Sequence, residues 1–224
     1  MLDTNTAIIT RFHYEDDAEF EKRFAFYCKR VLPTVLAQTD QNFDIAVWCE
    51  PRHANRFAQL SPKMKPFTAT YVKRGGPFFA DFTDWKNVSG LKQYEIQVGL
   101  DSDDVIAPDY IETIHRLCRG ERSILVTFNP LIYDIRLQRY GMIGGYGEKR
   151  ASAFFALYYP GLRKFYFAYC DSHLRLWKHV DKVIIGPDMK CCALVHGMND
   201  STGWMKRPRC QELKPHLRPA WIMK

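Results

Sequence analysis

An α/β fold, a sheet with helices packed on its faces, is the class this sequence predicts. Two observations carry it. Apolar runs of strand length recur at 7–14, 42–51, 67–72 and 94–100, and stretches near helical spacing lie between several of them. The 224 residues are 46% hydrophobic and 14% aromatic, ample for a packed core of one large or two small domains.

The elements follow in order. "AIITRFHY" (7–14) reads as a buried first strand, and 16–39 as a helix carrying Phe20, Phe24, Tyr27, Val31 and Val35, with Pro33 a kink or a new turn. "NFDIAVWCEP" (42–51) is a second strand, "RHANRFAQL" a short helix, and "FTATYV" (67–72) a third strand rich in β-branched residues. Residues 73–90, with their Gly, Pro and turn residues, read as a long loop of the kind that often carries function. Then come a strand at 94–100, a helix at 108–120, strands at 123–129 and 131–140, and a Gly-rich turn at 141–150. Its glycines do not follow dinucleotide-fold spacing. An aromatic segment (153–169), a short helix near Asp171, a strand at "KVIIG" and a last strand within 189–204 complete the chain, without internal repeats.

No apolar run approaches the roughly 20 residues of a membrane-spanning helix, and no signal-peptide pattern opens the chain, so a soluble, cytoplasmic protein is expected. Seven scattered cysteines without a Cys-x-x-Cys pair indicate reduced thiols and argue against a zinc site. The net charge of +7 concentrates in 206–224, where Lys206, Arg207, Arg209, Lys214, Arg218 and Lys224 face Glu212 alone. Such a tail suits an anionic surface or a phosphorylated ligand, and equally serves solubility.

The informative stretch is "YEIQVGLDSDDVIAPDY" (94–110), an apolar run that ends on Asp101, Asp103 and Asp104. Like charges so close are costly unless a cation sits among them, and the end of a strand in an open α/β sheet is where ligands bind. Asp101 and Asp103 together suit a hard divalent cation, Mn²⁺ or Mg²⁺, shared with phosphate oxygens. The plainer alternative is a solvated turn in which Asp103 or Asp104 caps the following helix.

The order of segments resembles a glycosyltransferase of the GT-A type, a Rossmann-like mixed sheet flanked by helices, and is most similar to the bacterial and viral rhamnosyltransferase group related to the family 2 enzymes. "VLPTVLAQTDQNFDIAVWCE", "IQVGLDSDDVI" and "CALVHGMN" carry the resemblance, which covers about residues 6–204. It implies a single catalytic domain over 1–204 with a basic tail at 205–224. It further implies that Asp101, Asp103 and His196 hold the metal against the diphosphate of a nucleotide-sugar. Thr10, Arg11, Glu50, Lys92, Asp101 and Ser102 form the implied nucleotide-sugar-binding set, with Glu50 standing where the family more often has Asp.

The implied reaction moves a sugar, rhamnose by resemblance, from a nucleoside diphosphate to the hydroxyl of a glycan or other acceptor, with inversion. A carboxylate must take the acceptor's proton. Asp171, opening "DSHLRLWKHV", has the position, although Cys170 precedes it where the family has Glu, and an N-cap is its competing role. Asp188 is the reserve base, ahead of Asp134, which sits mid-strand. The competing classes are a nucleotidyltransferase or other metal-dependent phosphate enzyme, and a non-enzymatic nucleic-acid-binding module. The first lacks a convincing further set of carboxylates. The second lacks a patterned basic face, so no nucleic-acid partner is expected.

Overall fold

The computed structural model describes residues 5–12, 14, 16–67, 71–73, 78–80, 94–143, 149, 151–162, 173–196, 210–214 and 219–223. β1 (Thr6–Phe12) leads into α1 (Asp17–Phe26), a π-helical turn (Tyr27–Val31) and α2 (Leu32–Leu36). β2 (Asp44–Cys49) passes through a 3-10 turn into α3 (Ala54–Ala58) and β3 (Met64–Phe67), and β4 (Tyr71–Lys73) pairs with β5 (Phe78–Ala80). β6 (Ile96–Gly99), β7 (Asp104–Ile106), α4 (Tyr110–Leu117), β8 (Ile124–Thr127), β9 (Leu131–Asp134), β10 (Arg139–Ile143) and β11 (Phe155–Tyr158) follow. A 3-10 segment (His173–His179), β12 (Lys182–Ile185), β13 (Cys191–Val195) and β14 (Cys210–Glu212) come last.

Seven strands form one mixed sheet in the order β12-β8-β11-β6-β1-β2-β3, in which β11 runs antiparallel to both neighbours. Its central strands β8, β11, β6, β1 and β2 are largely buried on both faces, while the edge strands β12 and β3 are partly exposed. Ile8, Phe12, Ile45 and Val47 pack with Phe20, Tyr27 and Val35 of the first helical segment, while Ala7, Ile9, Ala46 and Trp48 pack on the opposite face with Leu157 and Leu176. The chain moves from β1 to β2 and β3, then crosses back to lay β6 on the other side of β1. That reversal makes the carboxyl ends of β1 and β6 the switch point where an open sheet receives ligands. A second sheet, β14-β10-β9-β13-β7, begins where the first leaves off, because β7 follows β6 after one turn.

Local chemistry explains most of these elements. The Asp16 carboxylate caps α1 by accepting from the Glu19 N–H at 2.8 Å. Pro33 cannot donate to residue 29 and its ring crowds that carbonyl, and the preceding backbone widens so that the Leu32 N–H reaches the Tyr27 carbonyl. Gly99 admits the ring of Phe155 from the neighbouring strand: a Cβ there would stand 2.4 Å from Phe155 Cζ.

The structure corrects several boundaries. The third strand is Met64–Phe67 rather than 67–72; Pro66 is tolerated because β3 is an edge strand. The single strand expected over 131–140 is a hairpin, β9 and β10, turned at 135–138 with Gln138 at φ 52°. Gly141 lies within β10 rather than in a Gly-rich turn. Asp103 and Asp104 do not cap a helix, since β7 intervenes before α4. Within the segment read as a tail, Cys210–Glu212 pairs with β10, and Leu213 and Ile222 are buried. Among the described residues, no helix is long and apolar enough to cross a membrane.

Candidate active site

The apolar run of β6 delivers Asp101, Ser102, Asp103 and Asp104 as a tight turn at the carboxyl edge of the sheet, closed by the Asp104 N–H donating to the Asp101 carbonyl at 3.2 Å. Asp104 starts β7 and lies opposite Ala193 of β13. Because those two strands are antiparallel, the residue after β13, His196, arrives beside the same turn. His196 Nε2 stands 3.4 Å from Asp103 Oδ2.

His196 is held by burial and by ring packing rather than by hydrogen bonds. Its side chain is 6% exposed, and its ring lies 4.2 Å from that of Phe26 near the end of α1. Among the described residues neither ring nitrogen has a hydrogen-bond partner. Two unsatisfied nitrogens in a buried ring are costly, and one of them faces a carboxylate. A divalent cation fits that arrangement, since a carboxylate and an imidazole nitrogen are donors such an ion accepts and the buried ring nitrogen otherwise lacks a partner among the described residues. Among the described residues no group of three His, Cys, Asp or Glu side chains gathers closely enough to hold a metal ion. A site of this kind is completed by a ligand's phosphates and by water.

The turn is also gripped from the other side. Tyr14, just beyond β1, hydrogen bonds through its hydroxyl to Ser102 Oγ at 3.0 Å. Arg23 of α1 lies over the Tyr14 ring, 5.0 Å from its centre, donates through Nε to Glu19 Oε1 at 2.5 Å, and places Nη1 3.9 Å from Asp103 Oδ2. Burial pushes the Tyr14 hydroxyl upward, with Arg23 and Ser102 opposing and Asp103 and Asp101 adding to the rise. Burial, then Asp103 and then Asp101, holds the Asp104 carboxyl well above the usual carboxylate range. Tyr14, Arg23 and Phe26 carry no signal in the sequence, because packing of α1 against β1, not spacing, brings them here.

The remaining residues divide by position. Glu50 follows β2 at the same carboxyl edge, with Arg52 Nε 2.6 Å from its Oε2. Arg11 lies on the β1 face shared by Ala7 and Ile9, half-buried, one residue before the strand ends. Thr10, expected to line the pocket, is wholly buried on the core face between Ile8 and Phe12, because strand alternation turns it inward. Asp188 is exposed, accepts from Asn129 Nδ2 at 3.1 Å, and precedes β13, so the length of that strand separates it from the end that carries His196. Lys92 and Asp171 lie outside the described residues.

A family model described as "putative rhamnosyl transferase" matches residues 4–208. The chain belongs to that rhamnosyl transferase family. No curated protein matches it in sequence. Among solved structures, S. aureus TarS 1–349 in complex with UDP-GlcNAc is similar to this rhamnosyl transferase family member with a TM-score of 0.54 at 12% identity, covering 85% of this chain and 58% of that one. The UDP complex of the same fragment gives 0.54 at 12% identity over 85% and 60%. S. aureus TarS itself gives 0.51 at 12% identity over 85% and 37%. The chain thus spans less than two-thirds of each of these proteins. At such identity the likeness shows the fold, a GT-A type mixed sheet flanked by helices.

Proposed function

We propose that this rhamnosyl transferase family member transfers a sugar from a nucleoside diphosphate to an acceptor hydroxyl, with inversion at the anomeric carbon and with Mn²⁺ or Mg²⁺ as cofactor. The carrying observation is the Asp103–His196 pair at the sheet's switch point, where a buried imidazole faces a carboxylate without any hydrogen bond among the described residues. Rhamnose as the sugar is supported by the description of the family. A nucleoside diphosphate as its carrier is supported by the UDP and UDP-GlcNAc complexes of proteins sharing the fold.

Asp103 and His196 would hold the metal, with Asp101 on the same turn. When bound, the cation neutralises charge that develops on the departing diphosphate. Ser102, Arg11 and Glu50, near the carboxyl edge of the sheet, are proposed to meet the nucleotide, and Lys92 the diphosphate. Asp171 accepts the acceptor's proton while the hydroxyl oxygen bonds to the anomeric carbon and the bond from that carbon to the diphosphate oxygen breaks. The acceptor is a glycan or another hydroxyl compound. The cationic segment 206–224 offers it, or a nearby anionic surface, an electrostatic contact.

The test is a panel of nucleoside diphosphate sugars, rhamnose donors included, incubated with and without Mn²⁺ or Mg²⁺ while nucleoside diphosphate release is measured. Metal-dependent release with one donor class, and a product of opposite anomeric configuration by NMR, is expected. No metal-dependent release from any donor, together with no binding of any, overturns the proposal.

A further inference from the structure

The acidic turn contains a cation already. Asp103 Oδ2 is approached by His196 Nε2 at 3.4 Å and by Arg23 Nη1 at 3.9 Å, and its side chain is 16% exposed. Arg23 is itself only 17% exposed. It is fixed on two sides, by Glu19 one helical turn away and by the Tyr14 ring beneath it, and Tyr14 is in turn tied to Ser102 between the two acids. A guanidinium stays charged at any relevant pH. It therefore offsets the repulsion between Asp101 and Asp103 within the turn.

That same charge opposes the arrival of a bare divalent cation, because both would be drawn to one carboxylate across a poorly solvated gap. A diphosphate brings charge of the opposite sign. Once it is present, the guanidinium would gain a bidentate anionic partner and Asp103 would be free to hold the metal.

Resting on the metal-dependent reading above, we infer that Arg23 is a positioning residue that makes cation binding conditional on the diphosphate: it stands beside Asp103, where the metal would bind, and yields when nucleotide and metal arrive together. Binding of the two is then strongly cooperative, and the cooperativity is reciprocal.

The experiment measures Mn²⁺ binding by EPR, alone and with UDP or inorganic pyrophosphate, with the association of Mn²⁺ and those anions measured separately. In the wild type, UDP should raise Mn²⁺ affinity at least about tenfold, and pyrophosphate should do so without a base. In Arg23→Gln, Mn²⁺ alone should bind about tenfold more tightly and the gain from UDP should fall to about twofold or less, whereas Arg23→Lys, which keeps the charge, should retain most of the cooperativity. Glu19→Gln, which frees Arg23 from its carboxylate, should move both quantities the other way and decides the matter should Arg23→Gln not fold. Mn²⁺ affinity and cooperativity unchanged in these variants, in a wild type that binds both ligands, overturn the role of Arg23 and leave the parent reading standing. A wild type that binds Mn²⁺ neither alone nor with UDP, pyrophosphate or any other nucleoside diphosphate overturns both.

Discussion

His196 Nε2 stands 3.4 Å from Asp103 Oδ2, two residues from distant parts of the chain joined by the antiparallel pairing of β13 with β7. If that proximity serves a metal, His196→Ala should retain the fold, since the ring makes no hydrogen bond among the described residues, and should weaken Mn²⁺ binding in the presence of UDP by roughly 10–100-fold. His196→Phe, which keeps a ring packed on Phe26, separates ligand loss from packing loss: equal weakening in both variants is expected by calorimetry, and wild-type binding in the Phe variant would contradict it.

The two candidate bases should behave differently. Asp171→Asn keeps shape and capping capacity but removes the proton acceptor, so turnover should fall roughly 10²-fold or more with donor binding preserved. Asp188→Asn should leave turnover near normal, because that carboxylate is exposed and precedes β13, away from His196. Steady-state rates with saturating donor distinguish the pair, and the reverse pattern would reassign the base.

At the other end of the sheet, His115 bridges Thr6 Oγ1 at 2.8 Å and Asp40 Oδ2 at 2.7 Å. Burial raises the Asp40 carboxyl, but the Asn42 N–H and then the hydrogen bond and charge of His115 outweigh it and hold the carboxyl below its usual value. A carboxyl depressed in the folded state stabilises above its unfolded pKa and loses that contribution as pH falls through the folded one. The stability gap between wild type and Asp40→Asn should accordingly be full near neutrality and shrink below about pH 4. Urea unfolding at several pH values checks this, and a gap constant down to pH 2 would refute it.

Gly99 and Phe155 form a tight contact, so Gly99→Ala should cost about 1–3 kcal/mol by overpacking, and pairing it with Phe155→Leu should recover part of the loss. Thermal unfolding of the two single variants and the double variant tests the coupling, and strict additivity would contradict the contact.

Removing the chain after Trp204 is expected to lower stability as well as charge. Cys210–Glu212 extends the second sheet, Arg139 binds Glu212 through two hydrogen bonds, and Leu213 and Ile222 are buried. Replacing Lys206, Arg207 and Arg209 by Gln tests the electrostatic role without removing the strand; unchanged acceptor affinity would eliminate it.

The acidic turn was legible in the sequence because a buried strand seldom ends on repeated carboxylates without a reason, and β6 places them at the sheet's carboxyl edge. His196 was reached only by resemblance, since nothing local in "CALVHGMN" marks it as a partner of Asp103. Tyr14 and Arg23 were invisible, because their meeting depends on how α1 lies against β1. β7 was hidden by its length, three residues directly after the acids, and the β9–β10 hairpin by a turn, "IRLQ", with no Gly, Pro or Asn to announce it. Edge strand β3 was displaced in the reading by Pro66, which a central strand would not accept.

The turn at Asp101–Asp103 is proposed to bind a nucleoside diphosphate through a divalent metal. Its most direct test is calorimetric binding of UDP, and of a panel of other nucleoside diphosphates, to the wild type and to Asp103→Asn, each with Mn²⁺ and with excess chelator. Mn²⁺-dependent binding of at least one nucleotide to the wild type is expected, with a loss of about tenfold or more in a folded Asp103→Asn protein. Equal Mn²⁺-dependent affinity in the two proteins, or binding indifferent to the chelator, would contradict it.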